Sequence, residues 1–214
     1  MALFKYMERK WAENFLNEGE ILIGTLGDFR KSENHSDDIA DAGEGTKTIH
    51  LKKNQLYTNV SNMPPSLPPF FHCESGGKIQ LGADTKINIK NDYFVLCLSE
   101  VKSFSIMKRM SKSYDTCIEI VDPTKFLLAI KIAFSIKAPQ YKSVECRCTY
   151  IPSRVFDENT DQGYSEAFMK PQNYSYQQEF RIVFDAQNLP KEKMIIKSLE
   201  AAKYCKIITL DPNG

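Results

Sequence analysis

Long apolar runs are missing from this chain of 214 residues. The longest, FLLAIKIAF at 126–134, falls far short of the roughly 20 residues a membrane-spanning helix needs. The N-terminus also lacks the charged, apolar and small-residue zones of an export signal. A cytoplasmic protein without a membrane partner is the expectation. An excess of one charge is missing as well: 28 basic against 27 acidic residues leave a formal net charge of +1. That balance argues against a surface built to track a phosphate backbone, so extended nucleic-acid binding is not expected.

The familiar loop motifs of nucleotide binding are absent. There is no G-x-x-x-x-G-K-[ST] and no G-x-G-x-x-G, and GEGTK at 43–47 lacks the flanking strand and helix of a phosphate loop. No G-x-S-x-G elbow occurs. His35, His50 and His72 are the only histidines and form no H-x-E or HExxH arrangement. His35 with Asp37 and Asp38 could contribute to a divalent site, but a solvated acidic run is the better account of the pattern. Six cysteines fit free thiols in a reducing compartment. Only Cys146 and Cys148 form a tight pair where zinc needs two, so no metal is expected; on one strand the two would share a face.

What the chain does contain is a mixed pattern of elements. Residues 8–18 read as a helix with Trp11, Ala12, Phe15 and Leu16 on one stripe, stopped by Gly19. EILIGTL then reads as a strand ending in the cluster Thr25, Asp28, Phe29 and Arg30. Later come two alternating segments, KIQLG and KINIK, and a buried central strand, DYFVLCLS. SFSIMKRMSKSY reads as helical, TCIEIV as a strand, and DPTKFLLAIKIAF as a helix with Asp122 as cap and Pro123 at its first position. KSVECRCTYI reads as one strand, YQQEFRIVF as another, and PKEKMIIKSLEAAKYCKIITL as a last strand or two about a short turn. Loops are expected at 31–47, 62–77, which carries two Pro-Pro pairs, and 153–173. With no repeat and no dividing linker, residues 1–214 form a single α+β domain of mainly antiparallel or mixed sheets with a few short helices.

Two segments carry candidate chemistry. Along 176–184, alternation sets Tyr176, Gln178, Phe180, Ile182 and Phe184 on one face and Gln177, Glu179, Arg181 and Val183 on the other. Glu179 and Arg181 therefore lie side by side, either as a charge pair on an exposed face or as a carboxylate held by an arginine at a cleft. In the opening unit, Lys5 and Tyr6 point to opposite faces of a short strand, while Gly24 and Gly27 allow close backbone approach to a ligand. This unit is either half of a cleft or plain scaffold.

Taken in order, LFKYM, FLNEGEILIGTLGDFRKSE, YFVLCLSE and YQQEFRIVF resemble a group of bacterial and phage proteins. That group opens with a Leu-Tyr-Lys-Tyr strand, continues through a Cys-Phe-Ser strand and closes with a Tyr-x-x-Glu-x-Arg strand. The resemblance covers residues 3 to 184, with Leu98 in place of the usual aromatic and SIMKRMSKSY in place of a Trp-bearing helix. The layout is also similar to ADP-ribosyltransferases of the diphtheria-toxin type. That likeness implies a split sheet, NAD as ligand, no metal, and a host or phage protein as target. Lys5 would stand where such enzymes carry a His or Arg, and Glu179 would be the late catalytic acid, with Gln177 two residues before it. Tyr6, Phe29 and Tyr176 would stack on nicotinamide, Arg30 or Arg181 would hold the pyrophosphate, and Thr25 would belong to the same ligand-facing cluster. The rival expectation is a non-catalytic binding or inhibitor protein that grips a protein or nucleotide partner.

Overall fold

The computed structural model describes residues 1–31, 41–71, 77–186, 189–190 and 192–211. The expectations on His35, Asp37, Asp38 and His72 fall outside these residues. In the opening unit, β1 (Leu3–Met7) sends Leu3 and Met7 into the main core and Phe4 and Tyr6 into a second cluster with Met107. The helix α1 (Arg9–Glu18) follows, buries Ala12 and Phe15, and ends at Gly19 with φ of 73°. Trp11 departs from the expected stripe: it is exposed, with the Lys10 ammonium over its ring. After β2 (Glu20–Thr25) the chain turns into the one-turn helix α2 (Leu26–Phe29), where Thr25 Oγ1 accepts from the Asp28 N–H at 3.0 Å.

The sheet that organises the molecule is centred on β7 (Phe94–Ser99). On one side β13 (Glu179–Asp185) runs antiparallel to it, from Glu179 opposite Ser99 to Phe184 opposite Phe94. Beyond β13 lies β9 (Lys142–Arg147) at the edge. The other side of β7 is shared. At one end β2 pairs through Gly24 and Thr25 with Val95 and Phe94; at the other, β1 pairs only through Phe4 with Ser99. The sheet is therefore split there. One branch continues from β1 to β8 (Thr116–Ile120) and β15 (Cys205–Ile208), the other from β2 to β14 (Met194–Lys197).

One face of this sheet carries the main core. Leu96, Leu98, Ile182 and Phe184 pack there against α1, α4 (Pro123–Lys137) and α5 (Leu199–Ala202). Phe134 of α4 stacks on Phe184 with ring centroids 4.1 Å apart. The predicted start of α4 is as observed, with Asp122 accepting from the Lys125 N–H and Pro123 opening the helix. Against the second cluster, α3 (Phe104–Met110) covers Phe4 and Tyr6.

A second core lies beside the large sheet. It is built from β3 (Thr46–Leu51), β4 (Gln55–Tyr57), β5 (Ile79–Leu81), β6 (Thr85–Lys90) and β11 (Val155–Asp157), around Ile49, Leu51, Tyr57, Met63, Leu67 and Ile89. Here β3 pairs antiparallel with β6 and parallel with β11. Lys47 is buried and donates to Asp161 Oδ1 at 2.5 Å, to the Ser66 hydroxyl and to the Tyr164 carbonyl. Asp161 also accepts from the Ser66 and Gly163 N–H groups at 2.8 and 3.1 Å.

These elements form an α+β fold with several antiparallel or mixed sheets. Several boundaries differ from the sequence expectation. The expected 153–173 loop contains β11 and β12 (Met169–Pro171), which pairs parallel with β10 (Thr149–Ile151). The single CRC strand breaks between β9 and β10, leaving Cys146 exposed and Cys148 buried rather than on one face. The short turn expected near the end is the helix α5. No described helix is long and apolar enough to cross a membrane.

Candidate active site at the split in the sheet

The face of β7 and β13 opposite α4 floors a pocket of about 90 Å³. From β7 come Cys97 and Ser99, from β13 Glu179 and Arg181, and from β1 Phe4, Lys5 and Tyr6. Phe29 of α2, Met110 at the end of α3 and Tyr114 beyond it complete the walls together with Glu44, Lys170 and Gln177. Strand alternation explains the floor: Phe180, Ile182 and Phe184 point into the core, so Glu179 and Arg181 point the other way. The strand starts at Glu179, however. Residues 172–177 form a 3-10 turn and Gln178 has φ of 41°, so Tyr176 and Gln178 do not continue the alternation.

Glu179 and Arg181 are buried, not an exposed charge ladder. Arg181 Nε donates to Glu179 Oε1 at 2.9 Å, and its Nη1 donates to Glu44 Oε1 at 2.7 Å and to the Ala167 carbonyl at 2.6 Å. Lys170 Nζ lies 2.8 Å from Glu179 Oε2 and donates to Gln177 Oε1 at 2.6 Å. Two carboxylates thus face two cations, and each is neutralised in the dry interior, where an unpaired charge is heavily penalised. Burial pushes the Glu179 carboxyl up, but the Arg181 guanidinium and Lys170 ammonium outweigh it and hold the group well below the usual carboxylate range. The Cys97 thiol hydrogen-bonds the same carboxylate and is itself pushed up, chiefly by burial.

Lys5 occupies the split. Its ammonium donates to the Cys97 carbonyl at 3.1 Å, on the stretch of β7 between its pairings to β1 and β2. Burial lowers its pKa, with the Glu179 carboxylate acting in the opposite direction. The strands of Lys5 and Glu179 are not adjacent, because β7 lies between them, yet both side chains reach one pocket. Ser99 stands directly opposite both Phe4 on β1 and Glu179 on β13.

The other expected residues separate into two groups. Tyr6 and Phe29 line the pocket, and the Tyr6 hydroxyl, pushed by burial up to about 12, donates to the Val101 carbonyl and accepts from the Ser103 N–H at 3.0 Å. Thr25, Arg30 and Tyr176 are outside its lining. Thr25 caps α2, and Arg30 donates to the Glu44 carbonyl at 2.7 Å and lies 3.7 Å from Asp92. Tyr176 carries the Arg109 guanidinium 3.6 Å over its ring. Gly24 and Gly27 serve packing within the chain: an added Cβ would meet the Phe29 ring at 3.4 Å and the Asp92 carboxylate at 2.3 Å.

Sequence reasoning missed Glu44, Lys170, Cys97, Ser99 and Tyr114 as wall or floor residues. Glu44 sits in GEGTK, where only the absence of a phosphate loop was legible, and Lys170 has no patterned neighbour. Among the described residues, no group of three or more His, Cys, Asp or Glu side chains could hold a metal ion. The chain matches no protein-family model, no curated protein and no solved structure.

Proposed function

We propose that the protein is an NAD-dependent ADP-ribosyltransferase-like enzyme with Glu179 as its acid. The observation that supports this reading is the convergence of Lys5, Ser99 and Glu179 from three neighbouring strands, β1, β7 and β13, onto one pocket at the split. In the reaction, the bond between ribose and nicotinamide breaks with its electron pair leaving on nicotinamide, and a nucleophile of the target forms the new bond to ribose. Positive charge develops on the sugar meanwhile. A carboxylate held ionised and fixed by Arg181 Nε and Lys170 Nζ suits that charge without having to reorganise.

The division of labour follows from the side chains. Glu179 is too strongly held in its ionised form to donate a proton, so its part is electrostatic and orienting. Lys5 presents a donor to the polar end of the ligand, Ser99 holds the turn before Glu179 by donating to the Gln177 carbonyl at 2.8 Å, and Phe29 and Tyr114 offer apolar ring surface. The pocket is small against the roughly 300–1,000 Å³ of ordinary ligand sites. It therefore suits the nicotinamide end, with the remainder of the dinucleotide outside. This activity belongs in the cytoplasm, with a host or phage protein as acceptor.

The test is nicotinamide release from NAD by the full chain, alone and with host lysate, for the wild type and Glu179→Gln. A loss of about 10²–10³-fold in the variant is expected, the scale for removing one preorganised electrostatic contact. Equal release from both proteins, or none from the wild type, overturns the proposal. One observation favours a second reading, a non-catalytic binding protein: both Glu179 oxygens already have protein partners. Calorimetry separates the two, because a binder holds its ligand without releasing nicotinamide.

A further inference from the structure

The pocket at the split is lined by more cations than the chain neutralises. Lys5, Lys170 and Arg181 face two carboxylates, Glu44 and Glu179. Both acids are already engaged. Arg181 holds Glu44 Oε1 at 2.7 Å and Glu179 Oε1 at 2.9 Å, and Lys170 lies 2.8 Å from Glu179 Oε2. Lys5 has no ion pair among the described residues, and its ammonium spends one of three N–H groups on the Cys97 carbonyl. Burial lowers its pKa, and Glu179, engaged elsewhere, does not offset this. Other polar groups of the lining are satisfied within the chain: Ser99 donates to the Gln177 carbonyl, the Cys97 thiol bonds Glu179, and Gln177 Oε1 accepts from Lys170. The Tyr114 hydroxyl is the exception, with no hydrogen-bond partner among the described residues.

We infer that this pocket binds a small monocarboxylate with a flat apolar body, its two oxygens accepting from Lys5 Nζ and the Tyr114 hydroxyl. The ligand supplies the counter-ion that Lys5 lacks, and an ammonium in a dry site is stable only when so paired. Cys97 is a charge neighbour of both donors, which places them at one end of the pocket. Burial pushes the Tyr114 hydroxyl up and keeps it protonated, so it donates. A single negative charge is the match, because one cation is left over. The second charge of a phosphate dianion would find no counter-ion beside Glu44 and Glu179. The walls decide the rest of the ligand. The Phe29 ring and the Met110 thioether suit a flat apolar body, and a volume of about 90 Å³ admits a single ring. This inference does not rest on the transferase reading; on an active enzyme such an acid would compete with NAD.

Calorimetry of the full chain with benzoate, benzamide and benzylamine tests this, since one ring then carries an anion, an uncharged isostere or a cation. The wild type is expected to bind benzoate roughly 10–100-fold more tightly than benzamide, the scale of one charged hydrogen bond, and benzylamine not at all. Lys5→Met should lose that preference. Tyr114→Phe keeps the ring and removes one oxygen, so it stays informative even where Lys5→Met does not fold; benzoate should bind it several-fold more weakly. Thermal melts confirm which variants are folded. A wild type that binds none of the probes, or benzamide or benzylamine as tightly as benzoate, overturns the inference. So does a folded Lys5→Met protein that keeps the preference, or a Tyr114→Phe protein with wild-type affinity for benzoate. Nicotinamide release is read in a separate assay with NAD, so either proposal can fail without the other.

Discussion

Arg181 is the side chain on which the site's electrostatics turn: it is 1% exposed and holds two carboxylates at once, Glu179 and Glu44. The pairing has a direct consequence for acid stability. Glu179 is held below its unfolded value, so the stability it contributes is fully present above the unfolded pKa of about 4.3 and is lost as pH falls through and below it. The midpoint of thermal unfolding should therefore fall as pH drops from about 5 to 3. In Glu179→Gln this decline should be shallower; parallel curves for the two proteins would show that the carboxylate contributes nothing to it. That Glu179 and Arg181 share a face was legible from alternation alone. Their burial was not, because it depends on Glu44, which lies 137 positions from Arg181. A pattern confined to one strand cannot say whether a charged pair meets water or distant partners.

At the scale of elements, punctuation residues were the most legible feature. Gly19 was read as a helix stop, and it adopts the left-handed conformation at a point where the chain passes close to α5. An added Cβ there would meet the Leu199 nitrogen at 2.5 Å. Gly19→Ala should therefore cost more than the roughly 1 kcal/mol of the backbone term alone, read as a lower urea midpoint at unchanged slope. A smaller effect would mean that α5 yields easily. The strand over 176–184 was misread at its start for a physical reason. The alternating pattern of side chains persists through Tyr176 and Gln178, but the backbone does not follow it: Gln178 turns at positive φ, and its carbonyl accepts from the Glu100 N–H at 2.9 Å. Trp11 shows the opposite failure. Its spacing fits the buried stripe of α1, yet it stays more than half exposed, with the Lys10 ammonium over its ring.

For the whole molecule, the α+β class followed from the alternation of short strands with two clear helices, whereas the division into two cores did not, since the second is assembled from segments between positions 46 and 164. Lys47 and Asp161 lie at its heart. Lys47→Met should cost about 3–5 kcal/mol, because it strands a buried carboxylate. Adding Asp161→Asn should recover a large part, and a double variant no more stable than the single would refute a charge-based cost. Glu44, two residues before β3, ties this second core to the pocket floor through Arg181. A nascent polypeptide still lacking position 181 thus has an acid with no counter-ion where the floor should be. Whatever the pocket does, it can begin only once translation has passed position 181.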